Sequence, residues 1–330
     1  MTTMRTTLKI IATSLAAATL GLASHSFAQA PSYPTKPVRW VVGYPAGGGT
    51  DFLARTTGAQ LSQLLGQPVV VDNRPGAGAI IASENVARSP GDGYTVFSAD
   101  NGVLVYNPAL YKKLPYDAEK DFALLGMMGR SPLIITAATN AGIPDAKALM
   151  EALKRDPGKL SMASVGTGSP HHLAMELFQR EAGVTVAHIP YKGGAQAIQD
   201  LMGGQIPLMM LDLPSGISAV KAGKVIPLLA MSAERIPQLP NIPTAKELGF
   251  AGVEAYTWQG LVAPAATPKD LQARLSADLQ KALVDPAVRQ KLFDAGWEAR
   301  PTNAADMTRY TDAERKKWHA LIKARDIKLD

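Results

Sequence analysis

The chain has 330 residues, 46% of them hydrophobic, no cysteine, and a formal net charge of +6. That length exceeds the size at which one core keeps growing, so two domains are the default. The lack of cysteine excludes both a disulfide framework and the lipid-modified N-terminal cysteine of a bacterial lipoprotein. Basic residues are scattered and concentrate only at Arg315 to Lys317, which reads as a solvated helix face. This argues against nucleic acid as a partner and suits attraction of small anions.

An export signal is expected first. Arg5 and Lys9 give a positive start, Ile10 to Leu22 is a 13-residue apolar stretch, and small residues follow at Ser26, Ala28 and Ala30. A membrane-spanning helix needs roughly 20 apolar residues. Residues 1–30 are therefore expected to be a signal peptide, cleaved after Ala28 or Ala30, with the mature protein in the periplasm. Removing Arg5 and Lys9 lowers the formal charge of +6 to +4.

Beyond the signal, short apolar runs alternate with helical stretches, the pattern of an α/β fold built from parallel β-α-β units. Strands are predicted at 38–44, 69–72, 95–99, 133–137, 160–164, 186–189, 206–211 and 225–231. Most are near-continuous apolar runs, as in strands covered by helices on both faces. Pro207 and Pro227 disturb the starts of the last two. Leu53, Thr57, Leu61, Leu64 and Leu65 form a helix face that stops at Gly66. Ser169 and Pro170 read as N-cap and first residue of a helix that runs to Gly183. Thr267-Pro268 opens another, with Leu271, Leu275, Leu279 and Leu283 at i, i+4 spacing, and a last helix is predicted from about Asn303 to Lys323. No flexible linker separates the halves. The expected division is residues 31–129 with 255–330 as one domain and 130–254 as the other, joined by crossing strands at 122–135 and 254–263.

Three strand ends run into glycine- and hydroxyl-rich loops that lead into helices. They are Tyr44-Pro45-Ala46-Gly47-Gly48-Gly49-Thr50-Asp51, Ser164-Val165-Gly166-Thr167-Gly168-Ser169, and Pro190-Tyr191-Lys192-Gly193-Gly194. In open parallel sheets, ligands bind outside the carboxyl ends of strands. Glycine lets backbone N–H groups turn inward, and a helix N-terminus adds about half a positive charge. Thr50, Ser164, Thr167 and Ser169 add hydroxyl donors, and no loop contains an arginine. The chemistry that follows is capture of a carboxylate by backbone, hydroxyls and trapped water. A single such loop serves equally well as a sharp turn; three of them, spread over both halves, point to a shared cleft. Asp51 either stabilises its helix or joins the site. Asp100-Asn101 and Asp212, at other strand mouths, either bind a polar ligand group or cap the next turn. His172, in a first helical turn, is disfavoured as the cation and either donates one hydrogen bond to a carboxylate or is solvated.

Other chemistries find little support. No loop carries a phosphate-binding G-x-x-x-x-G-K-[ST] run or a complete dinucleotide fingerprint, and there is no G-x-S-x-G elbow. Adjacent His171 and His172 cannot face one metal from a helix. Neither a metal nor a cofactor is expected.

At these loops the chain resembles the extracytoplasmic receptors of tripartite tricarboxylate transporters, the Bug receptor family, from about Tyr33 to the C-terminus. The likeness is carried by Tyr33-Pro34 with Pro37-Val38, by Pro45 to Asp51, by Asn73-Arg74-Pro75-Gly76-Ala77-Gly78, by Asp92-Gly93-Tyr94-Thr95, and by Tyr111 to Phe122. It continues through Gly166 to Leu173, Pro190 to Gly194, Pro243-Thr244 with Glu247-Leu248-Gly249, and Trp258 to Pro268. Two departures are Ala79-Ile80, where glycine and a polar residue are usual, and Gly91 before the Asp-Gly-Tyr-Thr motif. The resemblance implies a type II periplasmic-binding-protein fold, two hinged domains around a ligand cleft. It implies that Pro45 to Asp51 and Ser164 to Ser169 with His172 hold a ligand carboxylate, and that a large and a small integral membrane transporter subunit are partners. Family ligands include citrate, dicarboxylates, amino acids and aromatic acids.

The resulting expectation is a monomeric, non-catalytic solute-binding protein for a small organic carboxylate. Its alternatives are a sensor that signals to a membrane kinase or regulator, and an exported enzyme on the same fold.

Overall fold

Ten strands frame the described residues, 33–329 of the computed structural model: β1 (Val38–Val42), β2 (Val69–Asn73), β3 (Thr95–Asp100), β4 (Phe122–Ala138), β5 (Ser161–Ser164), β6 (Ala187–Pro190), β7 (Leu208–Asp212), β8 (Val225–Ala230), β9 (Tyr256–Pro264) and β10 (Glu298–Ala299). Around them pack α1 (Gly49–Leu65), α2 (Ile80–Ala87), α3 (Asn107–Leu110), α4 (Ala146–Arg155), α5 (Pro170–Ala182), α6 (Gly194–Met202), α7 (Leu213–Lys221), α8 (Lys269–Val284), α9 (Pro286–Asp294) and α10 (Ala304–Ala324). The export signal expected over residues 1–30 lies outside the described residues. No described helix is long and apolar enough to cross a membrane.

The strand order is β2-β1-β3-β9-β4-β7-β5-β6, with β8 and β10 also paired to β4. Each predicted strand forms, but the run at 133–137 is only the second half of β4, which is 17 residues long. Its first half, through Pro132, pairs with β9; from Leu133 onward it pairs with β7 and β8. The two segments expected to cross, 122–135 and 254–263, fall on β4 and β9, which pair side by side. The sheet is not purely parallel: β1 is parallel to β2 and β3, and β5 to β6 and β7, whereas β4 and β9 run antiparallel to their neighbours. The reason is covalent, since a chain that leaves one sheet for the other and later returns must run in opposite directions.

Beyond the crossing, β4 alternates its side chains between two cores. Leu133, Ile135 and Ala137 enter one, with Leu173, Phe178 and Met210; Ile134 and Ala138 enter the other, with Ala197, Leu201 and Ile217. Burial on both faces accounts for the unbroken apolar run. Pro207 falls just before β7, and Pro227 pairs beside a bulge in β8 itself, at Leu228, where a missing N–H is tolerated.

Helix ends follow the sequence signals. Ser169 accepts a hydrogen bond from His172 N–H and Pro170 opens α5, which closes on left-handed Gly183. The first helix, α1, starts at Gly49, earlier than its apolar stripe indicates, and stops on left-handed Gly66. Both departures from the family pattern fall where the backbone is constrained. A Cβ at Gly91 would stand 2.4 Å from the carbonyl carbon of Ala266, so only glycine fits. Ala79 adopts φ 67°, the left-handed conformation that glycine takes without penalty.

Candidate functional site

All candidate residues sit at carboxyl ends of parallel strands: those of β1 and β3 on one side of the crossing, and of β5, β6 and β7 on the other. The loop after β1 is organised by Asp51. Its buried carboxylate accepts from Gly47 N–H at 2.9 Å, from Asn73 Nδ2 at 2.9 Å, and from Arg55 Nε at 2.9–3.0 Å. Burial alone would raise this carboxyl, but those donors outweigh it and hold it below the usual carboxylate range. Asn73 also donates to Tyr44 O, and Arg55 Nη2 donates to Asn73 Oδ1. Asp51 thus organises the loop through its own hydrogen bonds.

Two further side chains reach this loop from distant sequence. The Trp297 indole N–H donates to Gly49 O at 3.2 Å, and Gln259 Nε2 of β9 donates to Thr50 Oγ1 at 3.0 Å. Gly49, Thr50 and Asp51 are therefore each fastened, while Pro45, Gly47 and Gly48 stay exposed. A cavity of about 680 Å³ opens between Gly47, Gly48 and Gly49 on one wall and Pro214 and Ile217 of α7 on the other. A Cβ on Gly49 would approach Pro214 Cβ to 2.9 Å, which explains glycine there.

At the end of β3, Asp100 is buried. It accepts from the Tyr44 hydroxyl and from Val103 N–H at 2.9 Å, and burial raises its carboxyl above the usual range. Burial, followed by the charge of Asp100, raises the Tyr44 hydroxyl as well. Asn101 has both ends of its amide engaged. Its Nδ2 donates to Tyr256 O at 2.8 Å and to the Tyr106 hydroxyl at 3.0 Å, and its Oδ1 accepts from Trp258 N–H at 3.3 Å. That side chain ties β3 to the crossing strand.

The second loop is knitted by its own hydroxyls. Gly166 N–H donates to Ser164 Oγ, the Ser169 hydroxyl donates to Gly166 O at 2.6 Å, and Gly168 N–H donates to His172 Nδ1 at 3.1 Å. An accepting Nδ1 puts the His172 proton on Nε2, which stands 3.7 Å from Glu176 Oε1. The ring stacks on His188 at 4.1 Å. Burial, then His188 and Arg325, push the His172 imidazole down to about 4, which disfavours its cation. Thr167 is exposed. Gly168 has φ 77°, and a Cβ there would meet Leu329 at 2.7 Å and Leu110 at 2.9 Å, side chains from the opposite side of the crossing.

The third loop lies beside the second, since Tyr191 N–H donates to Ser164 O at 3.0 Å; the Tyr191 hydroxyl donates to Asp200 at 2.8 Å. Gly193 precedes α6 with φ 156°, a conformation that favours glycine. Asp212 caps α7, accepting from Ser215 N–H at 3.2 Å, while its other oxygen lies 2.8 Å from His171 Nε2. Burial would raise it, but His171 and Ser215 hold it below the usual range. Of the two readings of Asp212, capping is the one seen.

Sequence reasoning missed the supporting shell of Asn73, His171, His188, Gln259 and Trp297. The Asn73 motif and the lone amide of Gln259 in an apolar strand were its only visible signals. Among the described residues, no group of three His, Cys, Asp or Glu side chains is placed to hold a metal.

Residues 53–327 match the family described as the tripartite tricarboxylate transporter family receptor. The BugT protein of Bordetella pertussis is 33% identical over 315 residues, 94% of this chain and 95% of its own. A solved Rhodopseudomonas palustris protein with adipate is 33% identical with a TM-score of 0.83, covering 88% of this chain and 97% of that one. MatC of the same organism, with bound malate, is 30% identical with a TM-score of 0.79, covering 88% and 100%. The chain belongs to the tripartite tricarboxylate transporter receptor family, the Bug solute-binding proteins, and has their two-domain α/β fold.

Proposed function

We propose that this protein is a periplasmic receptor that captures a small organic dicarboxylate between its two sheets and delivers it to the integral membrane subunits of a transporter. It acts as a monomer, after cleavage behind Ala28 or Ala30. Its domains are residues 31–129 with 255–330, and 130–254. The observation that carries this reading is a pair of loops, one on each side of the crossing, that lead into the N-termini of α1 and α5. Both loops are held by hydrogen bonds, and each keeps a threonine at the strand mouth, Thr50 in the first, beside exposed Gly48, and exposed Thr167 in the second. Arg55, on the helix that follows the first loop, is engaged by Asp51, so the loop itself offers only uncharged donors. Dicarboxylates are favoured because relatives of similar length and fold are solved with adipate and malate.

The protein is not an enzyme on this reading. Ser164 Oγ lies 2.7 Å from His188 Nε2, the spacing of a nucleophile and its base. Yet Ser164 has no exposed surface, and its oxygen also accepts Gly166 N–H, so this pair locks the loop. A thermal-shift screen of C4 to C6 dicarboxylates, followed by calorimetry and mass analysis of the recovered ligand, tests the proposal. Stabilisation by at least one acid, recovered unchanged, is expected. A uniformly flat screen, or turnover of the acid, would sink it.

A further inference from the structure

Gln259 is the only side-chain amide of β9, is 4% exposed, and lies in register between Asp100 of β3 and Gly129 of β4. Directly opposed residues share a sheet face, and glycine at 129 leaves lateral room for the amide on that face. Among the described residues, the one hydrogen bond of this side chain runs from Nε2 to Thr50 Oγ1, 209 residues away in sequence. Its other end, Oε1, is buried without a partner. A buried acceptor left unpaired destabilises the fold, and an apolar side chain of similar length would fill the space without that penalty. The amide therefore gives the sheet itself no net advantage. What it does fix is Thr50.

Thr50 is the second residue of α1, in the loop whose neighbours are held by Trp297 and Asp51. A threonine hydroxyl has one proton to donate and two lone pairs. The Gln259 N–H occupies a lone pair, so the hydroxyl proton must point away from β9. Among the described residues that proton has no acceptor.

We propose that Gln259 is a positioning residue for ligand capture: it accommodates the Thr50 oxygen from beneath, so that the Thr50 O–H is presented to the ligand carboxylate at the α1 N-terminus. This rests on reading loop 45–51 as part of the carboxylate site. It also gives the crossing strand β9 a direct link to that site.

The test is a double-mutant cycle by calorimetry, using whichever of succinate, malate or adipate raises the wild-type melting temperature most. Thr50→Val and Gln259→Met are each expected to weaken binding by about tenfold, the loss of one hydrogen bond to a charged acceptor. Together they should weaken it no more than Thr50→Val alone, because Gln259 acts through Thr50. The melting temperature of unliganded Gln259→Met should stay level or rise, as its orphaned oxygen is gone. Gln259→Glu, whose carboxylate takes the Thr50 proton for itself, should bind more weakly than Gln259→Met. Wild-type affinity in Gln259→Met, or losses that multiply in the double variant, would overturn the inference while leaving the loop in the site. Unchanged affinity in Thr50→Val would instead remove the loop from the site, and the inference with it.

Discussion

Arg55 lies across the Asp51 carboxylate with its Nε 2.9–3.0 Å from both oxygens, one helical turn along α1. The pair is asymmetric: the carboxylate is buried, whereas the guanidinium side chain is about half exposed. Asp51 also carries Gly47 and Asn73, so the two partners are not equivalent when removed. Asp51→Ala should cost about 3 kcal/mol, since it strands several donors around an emptied buried site. Arg55→Ala should cost about 1 kcal/mol or less, because solvent screens an exposed partner and the carboxylate keeps its other donors. Urea midpoints of the two variants check this; equal losses would contradict the organising role given to Asp51.

Stability should fall as pH drops from about 6.5 toward 4 through the histidine stack. His172 is held down to about 4 in the folded chain, against an ordinary value of about 6.5. The unfolded chain then binds more protons throughout that window, so stability rises with pH across it and falls on acidification. The full shift corresponds to about 3 kcal/mol. His188 is also lowered, by burial, and acts in the same direction. His172→Gln should flatten the pH dependence of the urea midpoint between pH 4 and 6.5 relative to wild type, as a neutral amide has no proton to gain. A wild-type-like slope in that variant would contradict it.

Ligand affinity should depend on a hydroxyl from each side of the crossing. Thr50→Ala and Ser169→Ala are each expected to weaken binding of the best dicarboxylate by about 1–2 kcal/mol, Thr50 through its own hydroxyl and Ser169 through the Gly166 carbonyl and His172 N–H that it holds in place. The Ser169 variant should also lose some stability, because its oxygen caps α5. Calorimetry beside thermal melts separates the two effects. Full affinity in both variants would place the ligand elsewhere.

Closure should accompany binding, because only the closed arrangement lets one ligand meet both loops. The flexing points expected on the crossing strands are Gly129, beside a register shift in β4, and Ala255, whose N–H and C=O bond Met231 and Leu133. Small-angle scattering with saturating ligand should give a smaller radius of gyration than without. Superimposable profiles would mean that binding draws on one loop alone, or that the unliganded receptor is already closed.

The sequence by itself determined what depends on near neighbours. Continuous apolar runs marked the strands, Ser169-Pro170 and Gly183 bounded α5, and Gly66 ended α1, because strand and helix periods and cap chemistry act over a few residues. It also located the glycine loops, since a loop between strand and helix must lie at a strand mouth. Only the tertiary structure decided which partners each polar candidate meets. Asp51 meets Asn73 across 22 residues, Asp212 meets His171 across 41, and Asn101 meets Tyr256 across 155. Such partners are set by strand order, and above all by β4 and β9 lying side by side at the crossing. A carboxylate or amide at a strand mouth looks alike in sequence whether it awaits a ligand or is already bonded, because the distinction lies in which distant donor the folded sheet brings within 3 Å.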